Sequence, residues 1–176
     1  LYTIIAEKKE INGLNIALVG DLKYGRTVYS LLYGLAKYSP NIFLVSPPQL
    51  KIRNEIHNDL DNKIKMVEID DAESIIDKLD VMYVTRIQKE RVPDPAEYEK
   101  VKGSYIIDNK LVENAKDSLM ILHPLPRVGE IKSEIDDTKY AKYFEQATFY
   151  AFETLPEKYK LLNDNLKLND INNVKT

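Results

Sequence analysis

The 176-residue sequence contains no cysteine and no tryptophan, and its two histidines, His57 and His123, are far apart. Without cysteine there is neither a disulfide framework nor a thiolate metal site, and two separated histidines do not make a zinc motif. We therefore expect a site without metal, in which charged side chains and backbone dipoles carry the chemistry.

Long apolar runs and an excess of one charge are missing as well. The longest runs, such as residues 16–19 and 119–122, are far shorter than the roughly 20 apolar residues of a membrane span, and the N-terminus has no signal-peptide core. The 28 acidic and 25 basic residues give a formal net charge of -3, so no basic field favours nucleic acid or an anionic membrane. We expect a cytoplasmic protein with a small-molecule partner, although a targeting segment already removed would leave no trace.

Instead, the chain has the composition of one globular domain, with 44% apolar and 30% charged residues. Short β-branched runs predict buried strands, and helically spaced apolar residues or turn signals separate them. The predicted strands are residues 16–19, 42–45, 64–69, 81–85 and 119–122. The predicted helices are residues 1–10, 26–38, the segment from Pro48 to about Leu60, 71–79, 96–101 and 137–147. This alternation predicts an α/β fold: a doubly wound, Rossmann-like parallel sheet of about five strands with helices on both faces.

Two segments do not fit an element. Residues 86–95 have five charges, two prolines and few apolar anchors, which predicts a mobile loop. Residues 161–176 are rich in Asn, Asp and Lys without a period, and we expect this tail to be frayed or disordered.

Three polar, cationic segments directly follow predicted strands. They are residues 20–27, which lead into a helix at Arg26, residues 85–91, which begin Thr85-Arg86, and residues 123–127. In an open α/β sheet, ligands bind at the carboxyl ends of the strands where the strand order reverses. If the order is 3-2-1-4-5, all three segments meet in one crevice there, and a helix N-terminus favours an anion.

Arginines on two strand ends can each grip a carboxylate with a bidentate fork, which points to a small dicarboxylate ligand. Taken singly, each segment also has a purely structural explanation: a tight turn, a solvated loop, or a stiff exit from the sheet. Residues 20–25 are not a G-x-G-x-x-G fingerprint and no G-K-[ST] follows, so nucleotide binding is weakly supported. Arg53, on the helix after the second strand, is predicted to lie away from the strand ends.

Together, these segments resemble the aspartate carbamoyltransferase family. The resemblance lies in Leu1-Tyr2-Thr3-Ile4 and in residues 20–27, 83–91 and 123–128, in matching order and spacing, with a weaker match at residues 143–147. Ornithine carbamoyltransferases differ, with a cysteine in the loop matching 123–127 and another first βα turn. The resemblance implies a bridging helix between domains at residues 1–12, an aspartate-binding α/β domain at 13–147, and an atypical C-terminal helix and polar tail at 148–176.

The activity that the resemblance implies belongs to pyrimidine (UMP) biosynthesis. A transferase moves the carbamoyl group from carbamoyl phosphate to the amine of L-aspartate, giving N-carbamoyl-L-aspartate and phosphate without metal or organic cofactor. Catalysis there is mainly positioning and electrostatics. The family also suggests a homotrimer in the full-length form.

Substrate-binding roles carry over onto five positions of this sequence. By resemblance, Arg26 and Arg86 hold the two carboxylates of aspartate, with Gln88 assisting. The carbonyls of Pro124 and Leu125 orient the carbamoyl and amine groups. No residue is singled out with certainty as a catalyst.

Loop closure and support are implied for six further residues: Lys23, Tyr24, Glu90, Arg91, His123 and Arg127. Glu90 would hold Arg86 in place, and Lys23 with Tyr24 would latch the charged loop in a closed state.

Two departures from the family pattern stand out. The carbamoyl-phosphate domain, with its S-T-R-T loop and H-P-T-Q stretch, would precede Leu1, and residues 148–156 differ from the family's closing helix, which begins with N-G and carries an R-M-A-L-L-like run. We therefore expect an aspartate-binding half that is inactive alone. The alternative is a catalytically dead carbamoyltransferase-like binding or interaction module, and aspartate binding would distinguish the two.

Overall fold

The computed structural model describes residues 1–92 and 94–143, and Leu1–Lys142 form one compact unit. Five parallel strands pair in the order β3-β2-β1-β4-β5. The strands are β1 (Asn15–Val19), β2 (Asn41–Val45), β3 (Lys65–Ile69), β4 (Val81–Val84) and β5 (Met120–Leu122). The predicted doubly wound fold is confirmed, and the strand order is the 3-2-1-4-5 under which the three polar loops were expected to meet.

Among the described residues, five α-helices connect or precede these strands: α1 (Tyr2–Lys8), α2 (Arg26–Leu35), α3 (Asn54–Leu60), α4 (Pro95–Val101) and α5 (Asn109–Val112). Short 3-10 turns lie at Pro48–Leu50, Glu73–Lys78, Lys89–Arg91 and Ser133–Ile135. Helix α5 was not predicted, and its signal is the Asp108 side chain, which accepts a hydrogen bond from the Leu111 amide. In the part of the chain that the structure describes, no helix is both long and apolar enough to cross a membrane.

The helix predicted at residues 71–79 is instead the 3-10 segment Glu73–Lys78. Its amides bond three residues back, as Ile75 N–H does to the Ala72 carbonyl at 3.2 Å. The segment must bury the consecutive residues Ile75 and Ile76 and then enter β4 at Val81. A connection this short favours the tighter turn over a full α-helix.

The helix predicted at residues 137–147 is wrong over residues 137–143. There the chain runs beside β5, where the Ile121 amide donates to the Tyr140 carbonyl at 2.8 Å and the Ile121 carbonyl accepts from Lys142 N–H at 3.0 Å. β5 is a sheet edge, so its buried backbone groups need hydrogen-bond partners. Residues 137–143 supply these partners instead of forming the helix that their apolar spacing indicated. Residues 144–147 and the predicted tail lie outside the described residues.

The core centres on β1, which is the middle strand of the sheet. Residues 16–19 are fully buried, and the apolar face of α2, including Val28, Leu32 and Leu35, is buried in the same cluster. Burying each such side chain contributes roughly 1.5–3 kcal/mol. The N-terminal end of α2 is thereby fixed near the carboxyl end of β1, where ligands of such sheets bind.

Gly20 closes β1 at the point where β1 and β4 end side by side. Its φ is +110°, and a Cβ atom there would lie 2.3 Å from the Thr85 carbonyl oxygen. The Gly20 amide donates to the Val45 carbonyl and the Thr85 amide to the Val19 carbonyl, so three strand ends are tied together here. Only glycine fits this position.

We expect Gly20→Ala to lower the free energy of unfolding by at least about 3 kcal/mol, because the new methyl group collides with backbone and the φ is unfavourable. Gly13→Ala is the matched control, since Gly13 has a φ of +76° but nothing within 4 Å of a Cβ. It should cost only about 1–2 kcal/mol. Urea denaturation of both variants measures the difference, and equal losses would contradict a steric role for Gly20.

Candidate functional site

A cavity of about 200 Å³ opens where the loops after β1, β4 and β5 meet. All five residues predicted to bind substrate line it, together with two of the predicted supports. These residues are Arg26, Arg86, Gln88, Arg91, His123, Pro124 and Leu125. The predicted convergence of the three loops is therefore found, while the individual roles stay predictions.

The first of these loops, the turn of residues 20–25, is folded around a buried carboxylate. The Asp21 Oδ1 atom accepts hydrogen bonds from the amides of Lys23 at 3.2 Å and Tyr24 at 2.8 Å. Burial raises the pKa of the Asp21 carboxyl, although the amides of Tyr24, Gln88 and Lys23 act in the opposite direction. Sequence reasoning did not single out Asp21, but an Asp that bonds amides two and three residues ahead is a common turn signal.

The exit of this turn determines where Arg26 stands. A Cβ atom on Gly25 would lie 2.6 Å from the Asp21 carbonyl oxygen, so the turn can close only with glycine. Helix α2 then starts at Arg26, which is exposed on the rim of the cavity. The turn thus presents a guanidinium at a helix N-terminus, where positive dipole and cationic side chain both favour an anion.

The second loop carries Arg86, which directly follows Thr85 at the end of β4. An Arg86 Nη2 atom lies 2.6 Å from Glu90 Oε1, and the two side chains are 32% and 56% exposed. The Glu90 backbone amide and the Arg86 guanidinium lower the pKa of the Glu90 carboxyl. The ion pair is the contact that the predicted role of Glu90 requires, and Arg86 also lines the cavity.

This loop is anchored more firmly than its charges suggest. Val92 is buried with Leu50 and Val101, and Tyr24 and Ile87 pack against this group. Both apolar residues of the loop, Ile87 and Val92, take part in these contacts, which join residues far apart in sequence. The predicted mobility of residues 86–95 stays a prediction, and Pro93 lies outside the described residues.

Arg91 and Tyr24 form the link between the first two loops. Arg91 Nη1 donates to the Tyr24 carbonyl oxygen at 2.9 Å, while the Lys23 ammonium lies 5.3 Å from the centre of the Tyr24 ring. In this structure the Tyr24 backbone carbonyl makes the contact between the two loops, and the predicted latch by Lys23 and Tyr24 stays a prediction. Arg53 was predicted to lie away from the strand ends, and this was wrong: its Nε atom donates to the Lys23 carbonyl at 3.1 Å.

The third loop is organised by His123, whose side chain is 1% exposed. Its Nδ1 atom accepts a hydrogen bond from the Leu125 amide at 2.8 Å, and its Nε2 atom lies 2.7 Å from Glu130 Oε1. Since Nδ1 accepts, the ring proton of the neutral imidazole is on Nε2 and is donated to Glu130. His123 thereby holds the turn that brings Pro124 and Leu125 to the cavity.

Glu130 is a supporting residue that sequence reasoning missed. Burial opposes its charge, but the hydrogen bonds from His123 and from its own and the Val128 amides outweigh this and lower the pKa of the Glu130 carboxyl. Arg127, a predicted support, points elsewhere: both of its terminal nitrogens bond the two Asp136 carboxylate oxygens. Such a bidentate pair fixes the course of the chain after the turn.

A larger neighbouring cavity, of about 340 Å³, shares Thr85 and Arg86 with the 200 Å³ cavity. Its other lining residues are different and include Lys102 and Tyr105. We place the site in the smaller cavity, because it unites the three strand-end loops and three arginines. Among the described residues that line it, none is acidic. No group of three or more potential metal ligands occurs within residues 1–92 and 94–143.

Comparison with known proteins gives a consistent result. Residues 12–151 match the family model "Aspartate/ornithine carbamoyltransferase, Asp/Orn binding domain". The aspartate carbamoyltransferase catalytic subunit of Nitrosopumilus maritimus is 52% identical over 165 residues, which are 94% of this chain and 53% of that protein. The corresponding subunit of Methanosarcina barkeri is 54% identical over 155 residues, covering 88% and 50%.

Solved structures show the same relationship. The catalytic subunit of Methanocaldococcus jannaschii aspartate transcarbamoylase matches with a TM-score of 0.75 and 47% identity, covering 97% of this chain and 54% of that one. The Trypanosoma cruzi aspartate transcarbamoylase in complex with carbamoyl phosphate and aspartate matches with a TM-score of 0.72 and 32% identity, covering 81% and 46%. The chain spans about half the length of the relatives it matches.

The His123–Glu130 pair predicts a pH-dependent contribution to stability. Because the pKa of Glu130 is lowered from 4.5 in the folded chain, its charge stabilises the fold above pH 4.5, and this contribution is lost as the pH falls through the lowered value. Glu130→Gln should therefore be less stable than wild type above pH 4.5, and this difference in stability should narrow as the pH falls below 4.5. Urea denaturation at a series of pH values on both sides of 4.5 measures the difference.

Glu99→Gln serves as the control, because Glu99 makes only an exposed ion pair with Lys102 in the described part of the chain. It should change stability little at any pH. A gap between wild type and Glu130→Gln that stays constant from pH 3 to pH 7 would contradict the assignment.

Proposed function

Because the chain belongs to the aspartate/ornithine carbamoyltransferase family, as its amino-acid-binding domain, we propose that it is the aspartate-binding half of an aspartate carbamoyltransferase. The observation that carries this proposal is the small cavity that Arg26 and Arg86 line together from different strand-end loops, with no acidic residue among its described lining residues. Two guanidinium groups match the two carboxylates of L-aspartate in number and charge.

The same lining distinguishes aspartate from ornithine. The ornithine side chain ends in an ammonium group, which a binding site would pair with a carboxylate or another acceptor. Among its described lining residues, the cavity offers three arginines, Arg26, Arg86 and Arg91, and no acid. A cationic side chain would be repelled there, whereas a dicarboxylate is attracted, so the specificity we propose follows from the sign of the charge.

In the proposed reaction the aspartate amine attacks the carbonyl carbon of carbamoyl phosphate. A carbon–nitrogen bond forms, the carbon–oxygen bond to phosphate breaks, phosphate leaves with the bonding electrons, and the amine nitrogen gives up a proton, which the leaving phosphate takes up. Arg26 and Arg86, with Gln88, would hold aspartate in place. The carbonyls of Pro124 and Leu125 would accept N–H hydrogen bonds and so direct the amine lone pair toward the carbonyl carbon.

The phosphate end of the second substrate would be bound by a carbamoyl-phosphate domain, which the relatives' greater length supports. Trypanosoma cruzi aspartate transcarbamoylase has been crystallised with carbamoyl phosphate and aspartate together, which supports the substrate pair. Formation of a homotrimer by the full-length protein belongs to the same proposal and rests on the family resemblance. A cytoplasmic location and the lack of a nucleic-acid or membrane partner stay predictions from composition.

We predict that this 176-residue chain binds L-aspartate but does not transfer carbamoyl groups by itself, because the proposed phosphate site is not within it. NMR titration should show shifts at the amides of Arg86, Gln88 and Leu125 with L-aspartate and none with L-ornithine. An assay at saturating substrates should show no turnover near the typical enzyme value of ~10 per second. A chain that does not bind aspartate would favour the alternative, a catalytically dead binding module.

In the full-length protein, Arg86→Ala should cost roughly 2–5 kcal/mol of transition-state stabilisation, because a carboxylate of the substrate loses its bidentate partner. Arg86→Lys should recover only part of it, since an ammonium cannot form the paired geometry. The measurement is kcat/KM for aspartate.

Lys63→Ala is the matched control, since Lys63 pairs with Asp59 on the surface and does not line the cavity. It should leave kcat/KM nearly unchanged. Wild-type activity in Arg86→Ala would mean that the site has been placed in the wrong crevice.

A further inference from the structure

Two consecutive carbonyls of the turn of residues 20–25 are each held by an arginine from a different neighbouring loop. Arg91, in the loop after β4, donates to the Tyr24 carbonyl at 2.9 Å. Arg53, in the connection after β2, donates through Nε to the Lys23 carbonyl at 3.1 Å. The turn is therefore held by hydrogen bonds from the loops on both sides of β1.

The Lys23 carbonyl oxygen accepts a second hydrogen bond. The Tyr29 hydroxyl also bonds this oxygen, and the Arg53 guanidinium carbon lies 5.9 Å from the centre of the Tyr29 ring. Tyr29 is partly buried against the core cluster, so its position is fixed by packing. The cation above its face adds attraction, and Arg53 and Tyr29 together converge on one acceptor.

Arg53 itself stands on a rigid support. It is the residue before α3, and its carbonyl accepts the amides of Ile56 at 3.1 Å and His57 at 3.0 Å. Its neighbour Ile52 is buried in the core cluster. The side chain is exposed, so most of its energetic effect comes from the bonds that it makes and little from burial.

The backbone amides of Lys23 and Tyr24 are already fixed by Asp21. Arg53 bonds the Lys23 carbonyl oxygen, so it restricts rotation of the turn further. Helix α2 starts three residues later at Arg26, and a rotation of the turn would move the Arg26 backbone relative to Arg86. A displacement of about 1 Å is enough to weaken a reaction that depends on positioning.

We propose that Arg53 is a positioning residue for aspartate, which holds the first turn so that Arg26 and Arg86 match the spacing of the two substrate carboxylates. This inference rests on the proposed function. Through Arg53, the connection after β2 would take part in substrate binding, although none of its residues is among the described residues that line the cavity.

The test uses the full-length protein carrying this domain, with Arg53→Met, which keeps an apolar stem over Tyr29 but loses the Nε donor. Its KM for aspartate should rise about three- to tenfold, as expected for the loss of one hydrogen bond made by an exposed side chain. The KM for carbamoyl phosphate should stay within about twofold, because the proposed effect is confined to the aspartate side. Hydrogen exchange of the Lys23 and Tyr24 amides should become faster.

Lys51→Met is the control, because Lys51 lies in the same connection and pairs with Glu68 at 2.5 Å instead of the turn. It should change none of these quantities. Tyr29→Phe, which removes the second donor, should shift the KM for aspartate in the same direction as Arg53→Met.

The outcomes separate this inference from the proposed function. If wild type transfers carbamoyl groups to aspartate but Arg53→Met leaves the KM for aspartate unchanged, the role of Arg53 is refuted and the proposed function stands. Equal rises in both KM values, or the same rise in Lys51→Met, would also refute it by indicating general destabilisation. If wild type shows no aspartate-dependent transfer, the proposed function itself fails.

Discussion

The contact between the ends of β1 and β4 sets the spacing of everything in the site. Gly20 lies so near the Thr85 carbonyl that no side chain fits between them. The two strands therefore stay paired to their last residues, and the loops that leave them start side by side. Arg86 follows Thr85 directly, and Arg26 follows Gly20 after one tight turn. The separation of Arg26 and Arg86 therefore depends on the backbone geometry of β1 and β4, which lie in the buried centre of the sheet.

Two of the arginines that line the cavity are held in place by other groups of the protein. Glu90 pairs with Arg86, and the Tyr24 carbonyl accepts from Arg91, so the guanidinium groups are oriented before a substrate arrives. Such preorganisation lowers the entropy cost of binding. The acidic partner, Glu90, is exposed and stands outside the lining, so the cavity retains a net positive character.

The sheet and the meeting of the three strand-end loops could be predicted, because each depends on local patterns. Buried strands such as residues 16–19 are short apolar runs, and the rule that ligands bind at strand ends points to Arg26 and Arg86. The pairs Arg53–Lys23 and His123–Glu130 could not be predicted, because they depend on where a long side chain reaches across the fold. The helix prediction for residues 137–143 was wrong for a related reason. Their backbone pairs with the edge strand β5, and their own sequence carries no sign of this pairing.

The bridge between Ile121 and Ala141 has a further consequence for how molecules of this protein meet one another. An unpaired sheet edge can act as a template on which a neighbouring molecule adds a strand, and growth from edge to edge leads to aggregates. Here the segment around Ala141 occupies the β5 edge, while the opposite edge, β3, has the exposed charged residues Lys65 and Glu68. One edge is capped and the other is charged, so both outer strands discourage polymerisation of the sheet.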